Sequence, residues 1–188
     1  MPTVFTHAAV PLALGYCAGK ERIPTPLLLA GMVASVLPDL DVMAFYLHVP
    51  YGAVLSHRGF THSISFAAMV GLLGAALLWR RNFFNALIFL FLATVSHPIL
   101  DSFNTGGLGI AFYWPLSDAR YFAPWQIIQV TPLRLSSLLA SKGLLVAISE
   151  LLWVWLPCGV LCAAAWIRRR ILTPEILSPS KELSVVSE

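Results

Sequence analysis

The stretch Phe83-Phe84-Asn85-Ala86-Leu87-Ile88-Phe89-Leu90-Phe91-Leu92-Ala93-Thr94-Val95-Ser96-His97-Pro98-Ile99-Leu100-Asp101 holds an apolar run, 83–100, that closes on an imidazole and a carboxylate. About 20 apolar residues span the hydrocarbon layer of a bilayer, so this run is a membrane-helix candidate. His97 and Asp101 are four apart and share one face of a helix. Together they can offer a metal one nitrogen and one oxygen. Pro98 disfavours helical geometry at His97 and removes a backbone donor, so a kink is expected there.

Four more apolar runs lie around this one. Residues 63–79 end in Arg80-Arg81, and residues 143–167 end in Arg168-Arg169-Arg170. Residues 4–19 contain Pro11 and end in Lys20-Glu21-Arg22, which suggests a kinked or half-spanning helix. Residues 27–48 are interrupted by Asp39 and Asp41, next to Pro38. The chain of 188 residues is 58% hydrophobic and only 11% charged. Soluble domains have about 25% charged residues, so this chain belongs to the membrane class. The fold class expected is all-α: an integral membrane bundle of about five hydrophobic helices. Residues 102–142 are rich in Gly, Pro, Ser and aromatics and too long for a bare connector, so an ordered outer-face excursion is expected. Residues 1–170 read as one membrane-embedded domain and 171–188 as a flexible cytoplasmic tail.

Several function classes drop out. The net charge is +3, and no basic face is interleaved with aromatics, which argues against nucleic acid as a partner. Gly106-Gly107-Leu108-Gly109 lacks the strand-and-helix context of a phosphate loop. No Gly-x-Ser-x-Gly elbow is present. Cys17, Cys158 and Cys162 sit in apolar runs and read as small buried hydrophobes.

With five crossings, Lys20, Arg22, Arg80, Arg81 and Arg168 to Arg170 fall on one side, seven of the twelve basic residues. The positive-inside rule makes that side cytoplasmic. His7, Asp39, Asp41, His57, His62, His97, Asp101 and Glu150 then gather toward the other face. Random placement would scatter them. Acids inside an apolar run are costly and point to function. Asp39 and Asp41, two apart, diverge on a regular helix, so both serve one site only if Pro38 makes the backbone irregular. His57 and His62 flank Gly59 in a loop that feeds the third run, with Thr61 or Ser63 as the helix cap. His48 reads as an interfacial residue. Arg58, Arg120 and Arg134 lie on the side that should be poor in positive charge, where a guanidinium can hold an anionic group. Trp114, Trp125, Tyr113 and Tyr121 read as an aromatic belt.

These residues carry a resemblance. His7, Pro38-Asp39-Leu40-Asp41, His57-Arg58-Gly59-Phe60-Thr61-His62-Ser63 and His97-Pro98-Ile99-Leu100-Asp101 come in that order. Gly107, Trp114-Pro115-Leu116-Ser117 and Val130-Thr131-Pro132-Leu133 follow. Over roughly residues 1–165 the chain resembles the YdjM/YbcI-type family of bacterial inner-membrane metal-dependent hydrolases. It is more distantly similar to the zinc-dependent phospholipase C and single-strand nuclease superfamily, which shares the order His, Asp, His, His-x-x-x-Asp. Those enzymes carry further histidines, whereas here none follows His97 and Glu150 is the late acid. One or two metals are therefore expected rather than three.

The resemblance implies His7, Asp39, His57, His62, His97 and Asp101 as ligands. Asp41 is then a ligand, a general base or an orienting group, Arg58 and Arg120 are anion contacts, and Glu150 is a further acid in the catalytic set. The mixed nitrogen and oxygen donors favour zinc, with manganese as the alternative. The expected activity is hydrolysis of a phosphoester in a membrane lipid or lipid-linked anionic substrate, in a multi-pass protein of the bacterial inner membrane. Its site would face the periplasm and its C-terminus the cytoplasm. A non-catalytic metal binder or transporter and a structural or adaptor membrane protein are the rival classes.

Overall fold

The computed structural model describes residues 2–50, 52–131 and 141–172. The expectations for Arg134 and for the tail beyond 172 lie outside the described residues. Helix α1 covers Val4–Ala18 and runs continuously through Pro11, ending where Gly19 takes φ 87°. Helix α2, Thr25–Ala34, starts on Pro24 and Pro26. Proline is pre-set for a first helical turn, where its missing donor costs nothing.

Pro38 then breaks the second apolar run. Its missing N–H removes one rung of the α-helical ladder, and here the chain tightens into a 3-10 helix, Leu37–Val42, before the short α3, Met43–Tyr46. A second 3-10 turn, Phe60–His62, leads into α4, Ile64–Leu78. Ser63 caps it, with its hydroxyl accepting from the backbone N–H of Phe66 at 3.1 Å. A 3-10 turn at Arg80–Asn82 leads into α5, Phe83–Ser102, which passes through Pro98 without interruption. The last helical stretch comprises α6, Ser141–Glu150, a π-helical turn, Leu151–Trp155, and α7, Leu156–Leu172.

The described residues form a helical bundle, and no strand longer than an isolated bridge occurs among them. Three helical stretches, Thr25–Tyr46, Arg80–Ser102 and Lys142–Ile171, are long and apolar enough to cross a membrane; α1 and α4 are apolar but shorter. α4 and α5 form a hairpin, and its helices approach closely because Gly71 has no side chain: a Cβ there would lie 3.0 Å from the Leu87 carbonyl oxygen. Small residues at such contacts let apolar helices associate where lipid removes the hydrophobic incentive. Ile23, Leu27, Ala34, Ala75, Ala86, Phe89 and Leu90 form the main core. Leu72, Leu77, Phe84, Ile88, Leu152 and Leu161 are exposed on outward helix faces. The cysteines differ from expectation: Cys17 is exposed, and Cys158 and Cys162 are only half-buried. Cys158 packs at the margin of a small core cluster of Ala9, Ile128 and Val154, and Cys17 reaches the Leu161 carbonyl from the end of α1.

The excursion after α5 wraps the motif loop. Isolated bridges pair Asn104 with Ile128 and Ile110 with Tyr121. Ala111 N–H donates to the Arg58 carbonyl, and Ile64 N–H donates to the Phe112 carbonyl.

Candidate metal centre

The functional side chains arrive from four places in the chain: His7 from α1, Asp39 and Asp41 from the 3-10 helix at Leu37–Val42, His57 and His62 from the motif loop, and His97 and Asp101 from α5. The 3-10 helix at Leu37–Val42 sets the two acids apart. At three residues per turn, positions two apart point about 120° away from each other. Asp39 turns to α5, where its Oδ1 lies 3.3 Å from His97 Nε2. Asp41 turns to the motif loop, where it holds His57 Nδ1 at 2.7 Å and His62 Nδ1 at 3.0 Å. It also accepts from the Thr61 hydroxyl at 2.5 Å and from the Arg58 backbone N–H at 3.1 Å.

Asp39, His62, His97 and Asp101 each bring one donor atom within 4.8 Å of the other three. His62 Nε2 lies 3.6 Å from Asp101 Oδ2. His7 stands beside this group, its ring stacked on His97 at 3.6 Å and 16°, with Nε2 3.7 Å from Asp101 Oδ1. A metal bound tetrahedrally at about 2.0–2.1 Å separates its donors by roughly 3.3 Å, so these spacings suit an ion between them.

Hydrogen-bond accounting agrees. His7 Nε2, both Asp39 oxygens, His62 Nε2, His97 Nε2 and Asp101 Oδ2 are buried and make no hydrogen bond. A buried polar atom left without a partner costs about 1–3 kcal/mol. The donor set therefore fits a divalent cation. The histidines are also presented as metal ligands usually are. His97 Nδ1 lies 2.7 Å from the Ser35 carbonyl and His62 Nδ1 faces Asp41, leaving each Nε2 for the ion.

A second group, Asp39, Asp41, His57 and His62, also brings four donors within 4.8 Å. Its Asp41–His57 and Asp41–His62 contacts have the lengths of hydrogen bonds rather than of donors separated by an ion. We assign Asp41 as the carboxylate that orients both histidines. In the metal-free protein, burial disfavours charge on His62, but the carboxylates of Asp101 and Asp41 beside it outweigh this and its pKa is raised to about 9.

The remaining expected residues fall as follows. Arg58 is almost fully buried, with Nε 3.3 Å from Asp101 Oδ2 and Nη1 donating to the Gly106 carbonyl at 2.6 Å. Its φ is 67°, uncommon for a residue with a side chain. Gly59 must follow it: a Cβ there would sit 2.1 Å from the Val54 carbonyl oxygen. Arg120 clamps the loop from behind, donating to the carbonyls of Ala53 and Arg58 at 3.3 and 3.2 Å. Glu150 lies outside both groups, at the start of α1. It accepts from Thr3 N–H at 2.5 Å, the Thr3 hydroxyl at 2.7 Å and the Thr6 hydroxyl at 2.6 Å. Trp155 Nε1 donates to the same Thr6 hydroxyl at 3.0 Å. The π-helical turn after Glu150 brings both side chains to Thr6. His48 is exposed and belongs to neither group.

One contributor, Asn104, escaped the sequence reading, and another, Thr61, was read for a different part. Asn104 donates to Asp101 Oδ1 at 3.0 Å, and Thr61 secures Asp41 rather than capping a helix. The spacing Asp101-x-x-Asn104 was the one available signal for the former.

The model of the YdjM inner membrane protein family matches residues 1–172. The chain belongs to that family. It is 51% identical over 174 residues to the inner membrane protein YbcI of Escherichia coli (strain K12), covering 90% of this chain and 100% of the relative. No solved structure matches. Membership makes this an inner membrane protein and accounts for the apolar outward faces of its helices.

Proposed function

We propose that this inner membrane protein is a metal-dependent hydrolase that acts on a phosphoester of a lipid or lipid-linked substrate. Zinc is the favoured metal and manganese the alternative. The observation that carries the reading is the convergence of buried, unpartnered Nε2 and carboxylate atoms from Asp39, His62, His97 and Asp101, with His7 beside them.

Those four residues would hold the ion. Bound there, it would supply a Lewis acid for a phosphoryl oxygen and lower the pKa of water toward neutrality. Asp41 binds His57 through Nδ1, so His57 Nε2 is left to carry a proton at the edge of the cluster. Arg58 sets a fixed positive charge beside Asp101, where it would steady an anionic phosphoryl group. Arg120 acts one step further out, by holding the loop that carries Arg58.

Charge supports an orientation. His7 opens α1 and Lys20 follows it; Arg80 precedes α5 and His97 ends it. The cluster and the basic residues thus lie at opposite ends of the bundle. The positive-inside rule assigns the basic end to the cytoplasm and the cluster to the periplasmic side of a multi-pass protein. A lipid substrate would arrive laterally. A metal transporter is the rival reading, and it needs polar groups continuing toward the basic end. The apolar core from Ile23 to Leu90 occupies that direction instead.

The experiment is metal analysis of detergent-purified protein, followed by assay of phosphate or headgroup release from a phospholipid panel. Stoichiometric zinc and a release activity lost in His62→Ala and Asp101→Ala are expected. Protein that binds no metal, or activity indifferent to both substitutions, rejects the reading.

A further inference from the structure

The opposite end of the bundle carries a separate cleft of about 820 Å³. α1 and α7 run parallel and finish there together: Cys17 Sγ reaches the Leu161 carbonyl at 3.6 Å, and Arg169 Nη2 donates to the Tyr16 carbonyl at 2.6 Å. Ala18, Gly19, Ala164 and Ala165 leave the cleft open by their small size. Lys20, Arg22, Arg168 and Arg169 supply its cations and Glu21 its acid.

Helix termini explain only part of this charge. Each helix C-terminus carries about −0.5 charge. Two termini and Glu21 therefore offset about two of the four cations. Arg169 also serves α1 directly, bonding Tyr16 and Cys17 carbonyls and covering the Tyr16 ring at 5.2 Å. Among the described residues, the side chains of Lys20, Arg22 and Arg168 make no hydrogen bond or ion pair. Around this one concave opening, at the end of apolar helices in an inner membrane protein, three cations have no counter-charge among the described residues.

We propose that this cleft binds the phosphate of an anionic phospholipid headgroup from the adjoining leaflet. Basic pockets between membrane helices suit such headgroups, and guanidinium groups match phosphate oxygens two at a time. The proposal depends on the membrane location and not on the metal chemistry at the other end.

The test titrates the full chain in detergent with phosphatidylglycerol, phosphatidylcholine and inorganic phosphate, following bound lipid by native mass spectrometry and competition. Phosphatidylglycerol should bind at least about tenfold tighter than phosphatidylcholine. The combined Lys20→Gln, Arg22→Gln, Arg168→Gln variant should lose roughly 100-fold of that affinity while keeping the wild-type metal content. Glu21→Gln should bind the lipid more tightly. Displacement of phosphatidylglycerol by millimolar inorganic phosphate would support the anion site and name free phosphate as its ligand. No preference for the anionic lipid, or wild-type affinity in the triple variant, overturns the proposal. Should that variant fail to fold, unchanged affinity in Glu21→Gln overturns it instead.

Discussion

His97 Nδ1 donates to the Ser35 carbonyl at 2.7 Å, and this contact decides that Nε2 is the nitrogen turned toward Asp39. A carbonyl only accepts, so the proton sits on Nδ1 and Nε2 keeps its lone pair. His97→Ala removes that donor from the four-atom group. Purified protein should then carry less metal than wild type, measured by elemental analysis, and full metal occupancy would refute the assigned geometry.

Asp41 acts through the histidines. Asp41→Asn keeps the side-chain shape but weakens the contacts to His57 and His62. Metal affinity should fall by about 10–100-fold, the usual effect of losing a group that orients a ligand. A competitive chelator titration reads this directly, and an unchanged dissociation constant would contradict it.

His62 predicts how metal binding responds to pH. Its pKa in the metal-free protein is about 9, raised from 6.5, so it is mostly protonated at pH 7. A metal needs the neutral imidazole, so binding must release that proton. Apparent affinity should rise as pH climbs from about 6.5 and level off above about 9. The sign for metal-free folding is opposite: the raised pKa adds stability in full below 6.5, and this is lost as pH rises through 9. Calorimetry in buffers of different ionisation heat measures the proton count, and a value near zero at pH 7 would reject this.

Gly59 leaves no room for a methyl group, because its Cβ would meet backbone oxygens of Val54 and Ser56. Backbone cannot swing aside as a side-chain tip can. Gly59→Ala should destabilise by about 3 kcal/mol or more, at the upper end of overpacking costs. A melting temperature within a degree of wild type would show that the loop tolerates the change.

Glu150 should behave as a structural acid. Glu150→Ala strands three donors from Thr3 and Thr6 and frees the start of α1, which carries His7. A loss of about 3 kcal/mol is expected, since hydrogen bonds to a charged group contribute more than neutral ones. Folded variant protein should keep the metal held by the other ligands. Wild-type thermal stability with metal lost would instead return Glu150 to the metal centre.

Much of this was legible in the chain. The run 83–100 was helical as read, and the spacing of His97 and Asp101 put both on one buried face. Pro38 signalled an irregular backbone at the two acids, and the cap at Ser63 was one of two candidates named. The expected YdjM/YbcI-type resemblance was matched by the family model over residues 1–172. The division of labour was not legible. The resemblance set Asp39 among the ligands but left Asp41 open between ligand, base and orienting group, and only the 120° step of a 3-10 turn sends one to His97 and the other to His57. Asn104 gave a spacing and nothing more.

By itself, then, the sequence determined the apolar surroundings of the helices and named candidates for the site. Hydrophobicity is a property of each residue and sums along the chain, so apolar runs and their polar ends declare themselves locally. Tertiary structure decided which donors meet and which atoms remain unpaired. Coordination depends on donor atoms standing roughly 3.3 Å apart, each about 2 Å from the ion, on residues far apart in the chain. No local pattern encodes those distances. They arise when α1, the Pro38 turn, the His57 to His62 loop and α5 pack together.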